Sequence, residues 1–169
     1  MRTEYRHTYL VLTKRADFAA QYAQPFHNIW HGLTVCNQQE ADDKIPIFLQ
    51  VPGKKFLSIE PMLGPVDIRR YLPCPETKPN CSGRKSNGLF LCSQNCDQGV
   101  DNVILGGETG PARGPMHPDW VHSVRDQCVA AGVPFFLKHM NKDDGRVLDG
   151  KTYDELPWGN NILNPKLFP

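Results

Sequence analysis

The sequence predicts an α/β protein built as a partial (βα) barrel of about five parallel strands with a Cys-rich insertion. Three observations carry this. Short β-rich apolar runs alternate with segments of helical periodicity. Several of those runs end in a turn bearing charged groups, the place where βα architectures collect ligands. The chain has 169 residues, whereas a complete eight-stranded barrel takes ~250. Right-handed crossovers joining five strands then give a barrel segment or an open sheet.

Taken in order, Thr8–Thr13 (TYLVLT) is the first strand, followed at once by Lys14 and Arg15 and by a helix in ADFAAQYA. Two cations at a strand tip suit an anion, and they equally suit a solvated helix start. Ile29–Val35 is the second strand, with His31 read as a satisfied core histidine and Thr34 near its tip. Cys36-Asn37-Gln38 makes a turn into a helix over Gln39 to Gln50, which Pro46 is expected to kink or restart. Lys55–Ile59 is the third strand, placing Glu60 at its tip, and Val66–Leu72 suggests a short helix carrying Arg69 and Arg70.

The stretch Asn102–Pro118 (NVILGGETGPARGPMHP) is the most informative. A fourth strand stops at Gly106-Gly107, and Glu108, Arg113 and His117 follow in the loop. Paired glycines let backbone N–H groups approach a ligand. Glu60 and Glu108 would then share one rim and could converge there. Alternatively the loop is a tight turn and Glu108 is merely solvated. Asp119 to Ala131 is a helix with Cys128 on its apolar face, ended by Gly132. Val133–Lys138 is a fifth strand with Lys138 at its tip, and Asp149-Gly150 marks a small hairpin.

Domain organisation reads as residues 1–140 for the barrel segment, an insertion over 73–99, and an irregular C-terminal tail over 141–169. The insertion is rich in Pro, Asn and Ser and holds Cys74, Cys81, Cys92 and Cys96 in a C-x6-C-x10-C-x3-C pattern. Four thiolates can close a tetrahedral zinc site, and a metal would order a stretch that lacks an apolar core. A disordered loop with incidental thiols is the alternative, and neither common ferredoxin spacing is present.

A net charge of +1 gives no global argument for nucleic acid. No apolar run approaches the ~20 residues that span a bilayer. The N-terminus lacks a signal-peptide pattern, so a cytoplasmic location is expected.

LVLTKR at Leu10–Arg15, IWHGLTV at Ile29–Val35, FLSIEPMLGPVD at Phe56–Asp67, the block Val103–Cys128 and GVPFFLKHM at Gly132–Met140 resemble successive blocks of one family. It comprises phage and bacterial gene products of unknown function. That family looks like a distant relative of the radical S-adenosylmethionine enzymes, with spore photoproduct lyase-like members nearby. The resemblance implies that this chain corresponds to the C-terminal part, without the cysteine segment that would hold a [4Fe–4S] cluster. S-adenosylmethionine and the cluster are therefore cofactors by resemblance only. By the same resemblance, Lys14, Arg15, Thr34, Glu60, Glu108, Arg113, His117 and Lys138 match motif positions. With Gly106 and Gly107 they suit a polar, nucleotide-like ligand.

The competing expectation is a non-catalytic zinc module that meets a protein or nucleic acid through Arg84 and Lys85. A third is that missing strands leave apolar edges, so that a separate chain or self-association completes the sheet.

Overall fold

The computed structural model describes residues 7–73, 99–110, 114–140 and 146–157. Five strands, β1 (Tyr9–Thr13), β2 (Ile29–Thr34), β3 (Lys54–Ile59), β4 (Asn102–Gly106) and β5 (Phe135–His139), form one sheet in the order β1-β2-β3-β4-β5. Every neighbouring pair is parallel. The helices are α1 (Ala16–Tyr22), α2 (Gln38–Phe48) and α3 (Pro118–Ala131). A short hairpin, β6 (Val147–Leu148) with β7 (Lys151–Thr152), follows β5.

Side chains alternate across a strand, so each strand presents two faces. Leu33, Leu57, Ile59, Val103, Leu105, Phe135 and Leu137 share one face, and they form a single buried cluster with Ala16, Ala41, Ile45, Phe48, Val121, Val124 and Cys128. All three α-helices therefore cover the same side of the sheet. That follows from sequential strand order with crossovers of one hand. The opposite face carries Trp30, Gly32, Thr34, Phe56, Ser58, Ile104, Gly106 and Lys138. Gly32 is register partner to Phe56, and a Cβ on Gly32 would lie 2.2 Å from that ring. Glycine there is what lets the Phe56 ring lie across the neighbouring strand.

Local chemistry sets the element ends. Asn37 caps α2, its side chain accepting from the Glu40 N–H at 2.9 Å. Pro46 lies inside α2 and does not restart it, contrary to one of the two sequence expectations. Gly132, at φ +66°, closes α3 in the left-handed conformation. The Asp149-Gly150 turn of the hairpin is as expected, both residues having positive φ. His31 is buried, and its Nε2–H donates to the Gln24 carbonyl at 3.0 Å.

The expected helix over Val66–Leu72 is a correction: only Arg69–Tyr71 is helical, as one 3₁₀ turn. Here the backbone is held by α3 instead of by its own ladder. Buried Gln127 accepts from the Ile68 N–H at 2.7 Å and donates to the Val66 carbonyl at 3.1 Å. Cys74, Cys81, Cys92 and Cys96, like Arg84 and Lys85, lie outside the described residues. No described helix is long and apolar enough to cross a membrane.

Candidate functional site: the C-terminal rim of the sheet

In a parallel sheet all strands end on one rim. Here the tips of β3, β4 and β5 bring Glu60, Gly106 and Lys138 together on the helix-free face. Lys138 Nζ donates to Glu60 Oε1 at 2.8 Å, and both side chains are only partly exposed. The two charges come from strands separated by β4. They meet because the β4 tip is glycine: a Cβ on Gly106 would lie 3.3 Å from Glu60 Cδ and 3.2 Å from His139 Cε1. One layer below, Thr34 and Ser58 are register partners and both are buried. The rim thus has an ion pair above and hydroxyls beneath.

Gly107 binds the rim to β5. Its N–H donates to the His139 carbonyl at 3.1 Å, and the His139 Nε2–H donates back to the Gly107 carbonyl at 3.0 Å. A Cβ on Gly107 would sit 2.4 Å from the Met140 carbonyl oxygen. The glycine pair is thus required by close backbone approach at Gly107 and by side-chain room at Gly106.

The remaining sequence-predicted residues divide. Glu108 accepts from the Gly114 N–H at 2.8 Å within its own loop, while Glu60 is engaged by Lys138. The two carboxylates share the rim but have different partners. His117 caps α3, Nδ1 accepting from the Asp119 N–H at 3.2 Å, so that nitrogen is committed to the start of the helix. Arg15 is exposed, pairs with Asp17 at 3.0 Å and lies over the Phe18 ring. Arg113 lies outside the described residues.

Lys14 stands beside a group that sequence reasoning did not single out. The Cys36 N–H donates to Glu40 Oε2 at 3.1 Å, and Lys44 pairs with the same carboxylate at 3.0 Å. Burial raises the Glu40 pKa, but hydrogen bonds from Lys44 and the Cys36 N–H, with the Lys44 and Lys14 charges, lower it further and leave it below the ordinary value. Burial, aided by the Glu40 charge, pushes the Cys36 thiol up against the opposing pull of Lys14 and Lys44. The Cys36 thiol faces the Glu60 carbonyl at 4.0 Å, joining this group to the rim. The signal was present: Asn37-Gln38-Gln39-Glu40 has the spacing of a helix-capping motif just past a strand tip.

Among the described residues, no group of three or more His, Cys, Asp or Glu side chains is placed to hold a metal ion. Cys128 is fully buried in the helix-side core, where burial raises its pKa to about 12. It is an inert packing thiol, as its place on the apolar face of its helix led us to expect.

A family model described as "Protein of unknown function (DUF5131)" matches residues 1–157. The chain belongs to that family. The DUF5131 match runs through the β6–β7 hairpin and takes in every element described above. No curated protein and no solved structure matches this DUF5131 chain.

Proposed function

We propose that the C-terminal rim binds a small, polar, nucleotide-like ligand. In this reading Lys138 receives its phosphate or carboxylate and Glu60 its amine or hydroxyl. The observation that carries the reading is the Glu60–Lys138 pair meeting over a side-chain-free strand tip. Two opposite charges held at 2.8 Å and still partly open to solvent can exchange each other for a ligand's complementary groups. The Thr34 and Ser58 layer beneath gives the ligand a polar floor. Lys14 adds positive charge at the β1 tip, two strands from Glu60.

Sequential strand order with helices on one face is also the arrangement of a barrel segment. This supports the partial-barrel reading, in which the helix-free face lines the interior and the rim forms its mouth. The sequence blocks resemble a family that itself looks like a distant relative of radical S-adenosylmethionine enzymes, which makes a nucleoside with an amino-acid arm one reasonable ligand to try. The described residues do not fit a cluster, because their only thiols are Cys36 and Cys128, and Cys128 is sealed in the core.

Titration calorimetry of the full chain with adenosine monophosphate and with S-adenosylmethionine tests the reading. Binding to at least one is expected. Glu60→Gln and Lys138→Met should each weaken it by about tenfold or more, since charge-assisted hydrogen bonds are worth ~1.5–3 kcal/mol. Heat of binding to neither compound, or binding indifferent to both substitutions, overturns it.

A further inference from the structure

The two edges of the sheet are finished differently. At β5 the chain covers its own edge: the Leu137 N–H donates to the Tyr153 carbonyl at 2.9 Å, and the Glu155 N–H to the Phe135 carbonyl at 3.3 Å. At β1 no described residue does this. The strand holds Tyr9, Leu10, Val11 and Leu12, all exposed, with Leu12 at 51%. Beside it, exposed Phe18, Tyr22 and Phe26 line the mouth of an apolar cavity of about 470 Å³ that Val11 and Leu12 also line. Within β1 there is no lysine, proline or register shift, the devices that normally blunt an edge.

We propose that a second copy of this chain docks on this flank, pairing β1 with β1 antiparallel about a two-fold axis through Val11. The register follows from the backbone. The Tyr9 N–H points inward, donating to the Asn28 carbonyl at 2.8 Å. Backbone groups alternate sides along a strand, so Val11 and Thr13 also face β2 while Leu10 and Leu12 point outward. Antiparallel pairing then makes Leu10 and Leu12 of opposite copies hydrogen-bonded partners and puts the two Val11 residues in a non-hydrogen-bonded pair. In such a pair the Cα atoms are ~4.5 Å apart.

The operation matches the chemistry on both sides of the sheet. A two-fold axis perpendicular to the sheet keeps α1 of both copies on one face, setting Phe18 and Tyr22 against their own equivalents. Every cross-strand pair is apolar or Tyr–Thr. A closed two-fold pairing also leaves no further β1 edge to recruit a third copy. Size argues for an occupant. Seven half-exposed large side chains present roughly 700 Å² of apolar surface, given 150–250 Å² for a whole aromatic. A standard interface takes ~800 Å² per partner, whereas the largest patch on a monomer is ~300–600 Å².

The test is sedimentation velocity of the full chain, with Val11→Cys and Leu12→Lys as variants and circular dichroism to verify folding. The proposal expects a dimer. It expects Val11→Cys to form an intermolecular disulfide between the introduced thiols, mapped by peptide mass spectrometry, because ~4.5 Å lies within disulfide range. Leu12→Lys should weaken self-association about tenfold or more while remaining folded. A monomer at tens of micromolar overturns the proposal. So does a dimer that persists in Leu12→Lys, or one in which the introduced thiols fail to link. A separate polypeptide adding a parallel strand would give that last pattern or the monomer, and so counts against a second copy.

Discussion

Replacing Gly107 by alanine is the sharpest test of how the rim is built. The added Cβ would lie 2.4 Å from the Met140 carbonyl oxygen, a backbone atom that no rotamer change can move. Relief requires β4 and β5 to part at their tips. That would strain or break the Gly107–His139 backbone bond at 3.1 Å and the His139–Gly107 side-chain bond at 3.0 Å. Overpacking costs ~1–3 kcal/mol, and each of the two hydrogen bonds contributes ~0.5–1.5 kcal/mol, so the sum is about 2–6 kcal/mol. At ~2–4 °C per kcal/mol for a chain of this size, Tm should fall by about 4–24 °C. Gly106→Ala is the control one residue away. The atoms nearest its Cβ belong to the side chains of His139 and Glu60, at 3.2 and 3.3 Å, which can give way. That variant should lose about 1 kcal/mol or less while separating Glu60 from Lys138 and weakening ligand binding. Urea unfolding of both proteins decides the matter. If Gly107→Ala were as stable as the parent, or Gly106→Ala the worse of the two, the account of the glycine pair would be wrong.

Three further outcomes are expected. Gln127→Leu keeps the side chain's bulk but strands the buried Ile68 N–H and Val66 carbonyl, so urea unfolding should show a loss of about 2–5 kcal/mol. The Glu60–Lys138 pair is partly solvent-screened, so a double-mutant cycle on stability should return a coupling of only about 0.5–1 kcal/mol. A ligand-binding effect of these substitutions larger than their stability effect is then the informative result. Cys128 should resist thiol reagents in the native protein, read by peptide mass spectrometry. Its pKa is raised from 9.0 to about 12, so the folded state keeps the proton that the unfolded state loses. Its contribution to stability is therefore complete below pH 9 and declines as pH rises toward 12, by at most ~1.4 kcal/mol per unit, and Cys128→Ala should flatten that decline.

What was legible in the sequence was whatever depends on local pattern. Each of the five strands, α1, α2 and α3, the Asp149-Gly150 turn and the burial of His31 and Cys128 follow from runs, caps and periodicity of a few residues. The placement of Glu60 and Lys138 on one rim also followed, because a parallel sheet sends every strand tip the same way. Their pairing did not follow, since it depends on the absent side chain of Gly106 on the strand between them. Similarly, Glu108 and His117 carry the same residue types as a catalytic loop. Only three-dimensional proximity shows that one takes the Gly114 N–H and the other the Asp119 N–H. The short helix expected at Val66–Leu72 gave way because Gln127, distant in sequence, satisfies that backbone more directly.

The spacing of strands along the chain has a consequence for the order in which this molecule assembles. Strands β1 and β2 are joined by 15 residues and β2 and β3 by 19, whereas 42 separate Ile59 from Asn102. Closing that longest connection costs about 1 kcal/mol more chain entropy than closing the first. Chain entropy therefore favours closing the β1–β2–β3 portion before joining it to β4. The β3–β4 junction is the seam that joins it to the β4–β5 portion. Glu60 and Lys138 lie on opposite sides of that seam, so the rim comes into existence only when the two portions dock. A ligand that grips both residues would then act as a clasp, raising the cooperativity of unfolding as well as its midpoint.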